Sequence, residues 1–588
     1  MFKNLLNRLL PSAPAPAPAR AEAPAPATPA RATPPDDVAG ADALIAQGNA
    51  LEDAGQASPA EALYRQAVAR APGHARAHLN LGIVLADQGD TAGATAAFEA
   101  VLAIDPRHPF GNYNFARLLV VQRQLDRAET LVQEALRAKP DFPQATELLS
   151  RVLRDQGFAH EALAPLRQVV ERDPANFLHR SFELFVMSYV DEARVEPLFR
   201  RHVEFGAALE AAVPVRFEQH PERGDPKRRL RVGYLSSDFS GHPVGLFMLP
   251  VLQHHDPAQV EVFCYSSDTR RDDMTDRLRA AAHQWRDVAA LSDAELADAI
   301  HADGIDVLVD LIGHTGIPRL GTFCARPAPV QATWLGYLNT SGLTRMDFRL
   351  SDARSDPLAV AQPFHTERLV HLPESQWCYR RPDGDPAVDP VPPFERNGHV
   401  TFGSFNAAIK ITPDACRRWA QVLLRVPGSQ LVVGDIPSPR KREAVRRAIE
   451  GEGVDADRLR FLPRLSMADY LGMYNQVDIS FDTFPYGGGT TTFDSLWMGA
   501  PVVAALGELP VSRSAASVLA ALGLDDWIAP SADAFVDVAV ARAADRDTLR
   551  TLRRELRPRL QASPLTDAPR FVRDLESALR AMWLEKTS

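Results

Sequence analysis

Cysteine is scarce in this chain: four residues in 588, Cys264, Cys324, Cys378 and Cys416, far apart and with no CxxC pair. That excludes a disulfide framework and a thiolate zinc site, and it fits a reduced, cytoplasmic interior. No apolar run is long enough to span a bilayer or to serve as a secretory h-region, and the first ten residues only alternate leucine pairs with Lys3 and Arg8. Stable membrane insertion is therefore not expected. A basic excess is missing too. The net charge of −10 gives no general field for polyanions, so nucleic acid is not an expected partner.

What remains is ordinary for a globular protein, with 45% hydrophobic and 24% charged residues. Proline is the exception. Residues 11–35 are mostly alanine and proline, a composition that cannot bury a core, so residues 1–41 are expected to be a disordered arm. From residue 42 a period appears. Pro72, Pro106, Pro140 and Pro174 are 34 residues apart, as are Ala60, Ala94, Ala128 and Ala162, and Leu51, Leu85, Leu119 and Leu153. Tyr64, Phe98, Val132 and Leu166 share one apolar register, and Gly48, Gly82, Ala116 and Ser150 a small one. That is the tetratricopeptide signature, expected over 42–176: small residues let two antiparallel helices approach, the larger one plugs the gap, and proline ends the second helix. A groove on such a stack suits extended peptide. Residues 177–228 look helical without the repeat positions and read as a linker and cap.

After residue 229 the pattern changes to short β-rich apolar runs separated by helical stretches, which predicts parallel doubly wound sheets. One series starts at Leu230, Val260 and Ile305; a second, at Val400, Gln430, Leu459, Ile479 and Val502, follows a proline-rich break near 386–393. Two Rossmann-like lobes are expected, at 229–392 and 393–565, with a closing amphipathic helix over 566–588. In the second lobe, the run from Val477 to Phe481 feeds Asp482-Thr-Phe-Pro-Tyr-Gly487-Gly488-Gly489-Thr490-Thr491-Thr492-Phe-Asp494. No GK[ST] follows, so this is not a Walker loop. Glycines admit a close phosphate, threonines add donors, and a helix start offers unpaired N–H groups and partial positive charge. Asp494, about one turn later, is placed to reach a ribose hydroxyl.

Several stretches together carry a resemblance: Asp238-Phe-Ser-Gly-His242-Pro, Arg326-Pro-Ala-Pro-Val-Gln331-Ala-Thr-Trp-Leu-Gly336-Tyr, Asn339-Thr-Ser-Gly342, Phe402-Gly-Ser-Phe-Asn406 with Lys410-Ile-Thr-Pro, and the glycine loop. In this order they resemble the protein O-GlcNAc transferase/SPINDLY family, which joins a tetratricopeptide solenoid to a two-lobed GT-B glycosyltransferase. The resemblance implies an α-solenoid followed by a double Rossmann-like catalytic region. It also implies inverting, metal-independent transfer of a sugar to Ser or Thr of protein acceptors, which the tetratricopeptide groove would receive. No cofactor is implied beyond the nucleotide-sugar substrate. Lys410 matches the lysine on the donor phosphates, and Thr490, Thr491 and Thr492 would hold the distal phosphate. Asn406, Gly336, Gly488, Gly489 and Tyr470 fall in the implied donor set, with Asp494 on the ribose. His242 matches the active-site histidine, as base or as acceptor-orienting group. Asp310 and His314, at the end of the run 305–311, are further candidates for proton transfer. Lys410-Ile-Thr-Pro, Gly313-His-Thr and Phe484-Pro-Tyr-Gly look closer to SPINDLY, whose plant members use GDP-fucose, whereas Asp494 agrees with the O-GlcNAc transferase loop. Gly489 departs from both, and Met467 stands where the animal enzyme has a donor-contacting lysine. UDP-GlcNAc is the expected donor and GDP-fucose the alternative. A tetratricopeptide scaffold that has lost catalysis is the reading from another class.

Overall fold

A 34-residue period suits two antiparallel helices and their turns, and the first part of the chain is built that way. The structure, a computed structural model, describes residues 35–220, 225–381 and 383–587. Contacts divide the chain into two units, one running through Asn176 together with residues 437–440, the other holding Phe177–Ile436 and Lys441 onward.

In the first unit, helices pair as Pro35–Asp53 with Ala57–Arg70, Ala75–Gln88 with Thr91–Ile104, Pro109–Val121 with Leu125–Ala138, and Pro143–Gln156 with Ala159–Arg172. Each second helix stops two residues before Pro72, Pro106, Pro140 or Pro174, as a residue lacking N–H and with fixed φ demands. Ala60, Ala94, Ala128 and Ala162 are fully buried. The small register is a matter of clearance: a Cβ on Gly48 would lie 2.5 Å from the Tyr64 ring, and one on Gly82 2.6 Å from the Phe98 ring. Where the partner shrinks to Val132, alanine fits at 116. The alanine/proline arm, residues 1–34, lies outside the described residues. The expected boundary at 42 is corrected by the helix that already begins at Pro35.

The second unit contains two sheets, and every strand pairing in them is parallel. The first has β1 (Leu230–Ser236), β2 (Val260–Ser266), β3 (Gln284–Asp287), β4 (Val307–Asp310), β5 (Val330–Thr333), β6 (Phe348–Asp352) and β7 (Arg368–Leu372), ordered β3-β2-β1-β4-β5-β6-β7. The second has β8 (Thr401–Ser404), β9 (Gln430–Val433), β10 (Leu459–Phe461), β11 (Ile479–Phe481), β12 (Val502–Ala505) and β13 (Ile528–Ala529), ordered β10-β9-β8-β11-β12-β13. In both, the order turns back on itself once: between β1 and β4, and between β8 and β11. Ligands of doubly wound sheets bind at the carboxyl ends of the strands flanking such a point.

The helices Phe177–Met187 and Val195–Ala212 belong to this second unit. The last helix, Ala568–Thr587, crosses back to the first sheet's layer. There Glu576 pairs with the buried His255 ring at 2.9 Å and Phe571 stacks on Trp334. Among the described residues, no helix is long and apolar enough to cross a membrane. All four cysteines are free and buried.

Candidate active site

The second switch point assembles a cradle from both of its strands. After β11 the chain runs through Asp482 into the three glycines and then into the helix Thr490–Trp497, whose first turn is the three threonines. Gly489 precedes that helix, and no side chain caps it, so the first N–H groups have no side-chain acceptor at the cap. Gly488 is required sterically: a Cβ there would sit 2.6 Å from Thr491 Oγ1, 2.9 Å from Thr492 Oγ1 and 3.0 Å from Asp482 Oδ1. Gly489 is not, since its Cβ would meet only Trp377, at 3.9 Å. Thr492 Oγ1 donates to Gly488 O.

From the end of β8 come Asn406 and, two residues past a buried alanine, Lys410. Thr491 Oγ1 donates to Asn406 Oδ1 at 2.9 Å. Lys410 Nζ donates to Gly487 O at 2.7 Å and lies 4.4 Å above the Tyr486 ring. Lysine and threonine-headed helix thus share one crevice, the geometry on which an anion-binding reading depends. Burial lowers the Lys410 ammonium to about 8, with Asp482 opposing the shift, and raises the Asp482 carboxyl to about 7.

Asp494 is held differently from the expectation. Its Oδ1 accepts the Tyr379 hydroxyl at 3.0 Å and its Oδ2 the Tyr470 hydroxyl at 3.1 Å, while the residue is only 6% exposed. Tyr470 also bonds Tyr474, whose hydroxyl reaches Thr491 O. Burial pushes the carboxyl up to about 7 against the pull of the two phenols. In place of a free ribose acceptor, the carboxylate ties the cradle helix to a tyrosine cluster. Tyr470 is part of that tie.

At the first switch point, His242 ends the turn after β1 and precedes the helix Pro243–His254, with Pro243 at its first position. Nδ1 accepts the Val244 N–H at 3.4 Å and stands 3.8 Å from Asp238 Oδ1; the side chain is 42% exposed. A ring that accepts at Nδ1 carries its neutral-state proton on Nε2, so the outward nitrogen is a donor. Burial lowers its titration, and the Asp238 charge opposes this. Phe247, one turn further, packs on Phe493 of the cradle helix at 5.7 Å and on Trp377 at 5.2 Å. The two lobes' helices therefore meet beside the glycine loop.

Two expectations for the first lobe are corrected. Asp310 is 1% exposed and accepts from Ile312 N, Gly313 N and Thr333 Oγ1, so it shapes the turn after β4; burial raises it to about 6. His314 is 2% exposed, with its ring nitrogens at 2.6 Å from Ser181 Oγ and 3.0 Å from Ser341 O and its edges against His202, Phe205 and Tyr337. Burial drives its titration well below the ordinary range. The helices Phe177–Met187 and Val195–Ala212 cover it, which a strand-end reading could not foresee. Gly336 spaces the backbone: a Cβ would fall 1.9 Å from Leu311 O. Sequence reasoning passed over Asp482, Tyr379 and Tyr189, which stacks on Tyr486 at 4.3 Å. Only Asp482, next to the glycines, carried a local signal.

With the site assembled, comparisons with known proteins are decisive. A family model described as Glycosyl transferase family 41 matches residues 209–379 and 396–575. The chain belongs to glycosyl transferase family 41. Tetratricopeptide repeat models match residues 45–109 and 85–152. A solved structure of Thermobaculum terrenum O-GlcNAc transferase, a lysine-to-methionine mutant, is similar with a TM-score of 0.68 and 32% identity, covering 94% of this chain and 98% of that one. The Solanum lycopersicum protein named probable UDP-N-acetylglucosamine–peptide N-acetylglucosaminyltransferase SPINDLY is 38% identical over 408 residues, 68% of this chain and 43% of its own length. The Arabidopsis thaliana protein named likewise with the suffix SEC is 32% identical over 366 residues, 60% of this chain and 37% of its own. The family 41 chain thus spans less than half the length of these curated relatives.

Proposed function

We propose that this family 41 chain is an inverting, metal-independent protein O-glycosyltransferase that moves GlcNAc from UDP-GlcNAc to Ser or Thr of protein acceptors. The observation that carries the reading is the convergence of Lys410 and the threonine-headed helix on one glycine loop, through Gly487 O at 2.7 Å and Asn406 Oδ1 at 2.9 Å. As the glycosidic bond breaks, negative charge gathers on the departing diphosphate. The Lys410 ammonium and the first N–H groups of the helix stabilise it where it develops. Lys410 exchanges the Gly487 carbonyl for a phosphate oxygen. Thr490, Thr491 and Thr492 hold the distal phosphate, and Asn406 orients Thr491.

His242 faces the acceptor side. With Nδ1 engaged by the helix start, its Nε2–H donates to the sugar or the acceptor, and taking the hydroxyl proton would need the other tautomer. Asp494 meets a ribose hydroxyl only by sharing its oxygens with Tyr379 and Tyr470. The tetratricopeptide unit recruits the protein acceptor. GDP-fucose is the second reading, supported by the SPINDLY-like Lys410-Ile-Thr-Pro and Gly313-His-Thr stretches and by the exposed Met467.

The test incubates purified protein with UDP-GlcNAc or GDP-fucose and a peptide library and reads intact mass. A HexNAc increment supports the first donor and a deoxyhexose increment the second. Tight nucleotide binding without either increment assigns a scaffold.

A further inference from the structure

Asp482 has no part in the transfer just described, yet its carboxylate is wedged beneath the loop that would carry the diphosphate. Oδ1 accepts the Gly488 N–H at 2.6 Å. A Cβ on Gly487 would lie 2.9 Å from Oδ2, and one on Gly488 3.0 Å from Oδ1, so the carboxylate itself keeps both positions glycine. Oδ2 is buried with no hydrogen-bond partner. From the other side Lys410 grips the same loop through Gly487 O. A diphosphate on that loop would face an ammonium and, just below it, a buried anionic oxygen that no hydrogen bond satisfies. Two anions in a dry site repel strongly enough that one of them binds a proton.

We propose that Asp482 takes up a proton on Oδ2 when a nucleoside diphosphate binds to the glycine loop, which makes it a positioning residue that leaves Lys410 and the helix amides unopposed. The inference rests on the donor reading above. The proton comes from solvent on binding and returns to it when the nucleotide leaves.

Its surroundings fit. Burial raises Asp482 to about 7, against the Gly488 and Thr483 N–H groups and the Lys410 charge, which is the one side-chain charge acting on it. Lys410 is lowered to about 8. The other polar groups at the loop are neutral: the Thr491 and Thr492 hydroxyls, the Val511 carbonyl that accepts Gly487 N–H, and the Tyr486 phenol, which feels Arg349 and stacks on Tyr189.

Calorimetry with UDP and with GDP on the full chain tests this across pH. Above about pH 9 both groups of the free protein are deprotonated, so there wild-type affinity should fall roughly a hundredfold per pH unit and that of Asp482→Asn, which keeps the amide bond to Gly488, roughly tenfold. Infrared difference spectra at pH 8 with isotope-labelled aspartate should show a protonated carboxylic acid on nucleotide addition. That band should persist in Asp494→Asn, Asp310→Asn and Asp478→Asn, the other buried aspartates raised to about 6 or 7, which gives the assignment even if Asp482→Asn does not fold. Binding with equal pH slopes in both proteins, or with no acid band, overturns the inference alone. Failure of both nucleotides to bind wild type overturns the donor reading and the inference with it.

Discussion

Between β1 and β4 of the first sheet and between β8 and β11 of the second, the strand order reverses in the same way. The two crevices nevertheless spend their polar residues differently. The second keeps a lysine, three threonines and a buried carboxylate around one loop. In the first, Asp310 is consumed by three donors of its own turn and His314 by a serine hydroxyl and a carbonyl, so that His242 alone stays accessible. Topology nominates a place for chemistry, and the remaining valences of the side chains there decide whether any occurs.

That contrast can be broken most sharply at Lys410. Lys410→Ala should lower kcat/KM by roughly 100- to 1000-fold, the usual cost of one lost transition-state donor, with an unchanged circular dichroism spectrum. Activity within about threefold of wild type would take the residue out of the mechanism. In the parent, donor affinity should decline as pH rises through about 8, where the ammonium is lost.

His242 comes next. His242→Ala should cost roughly 100-fold, while His242→Asn, which can still cap the helix and donate outward, should recover part of that loss. An asparagine variant as poor as alanine would make the ring a proton acceptor instead.

For the first lobe the contrast predicts effects on stability. Burial lowers His202 to about 4, so its folded state is depressed relative to the unfolded value near 6.5. Its contribution is fully present above pH 6.5 and is lost as pH falls toward 4, about 3 kcal/mol in all. Chemical denaturation should show this as the difference between the parent and His202→Gln, because the raised carboxyls of Asp310, Asp482 and Asp494 titrate with the opposite sign. Identical pH slopes in parent and variant would show that the ring is not kept neutral by burial.

The smallest effect separates two adjacent glycines. Gly488→Ala should weaken UDP or GDP binding by about tenfold or more, since its Cβ would strike Thr491 Oγ1. Gly489→Ala should change stability by no more than about 0.5 kcal/mol. Comparable losses at both would mean that the cradle rearranges as a whole.

The repeats were legible because four copies report one spacing. The central strands were legible because both faces are buried, which favours short runs rich in apolar β-formers, as in Val307–Asp310. The edge strand β3, Gln-Trp-Arg-Asp, carries no such run and gave no warning. Asp494 and His314 misled for a different reason. Sequence tells how far a residue stands from a glycine or a strand end, and that distance located both. What it cannot tell is which distant groups, Tyr379 and Tyr470 in one case and Ser181 in the other, have already claimed the polar atoms. The place of Asp482 beside the glycines was readable, but its importance lies in an oxygen that has no hydrogen-bond partner, which only the fold reveals.

The helix Ala568–Thr587 has a consequence for how the molecule is made. It supplies Glu576 to His255 and Phe571 to Trp334, so a surface of the first lobe is sealed by a segment translated well after it. The nascent first lobe must wait, its apolar flank open, through the synthesis of more than two hundred further residues. A chain cut short before that helix would leave the flank uncovered.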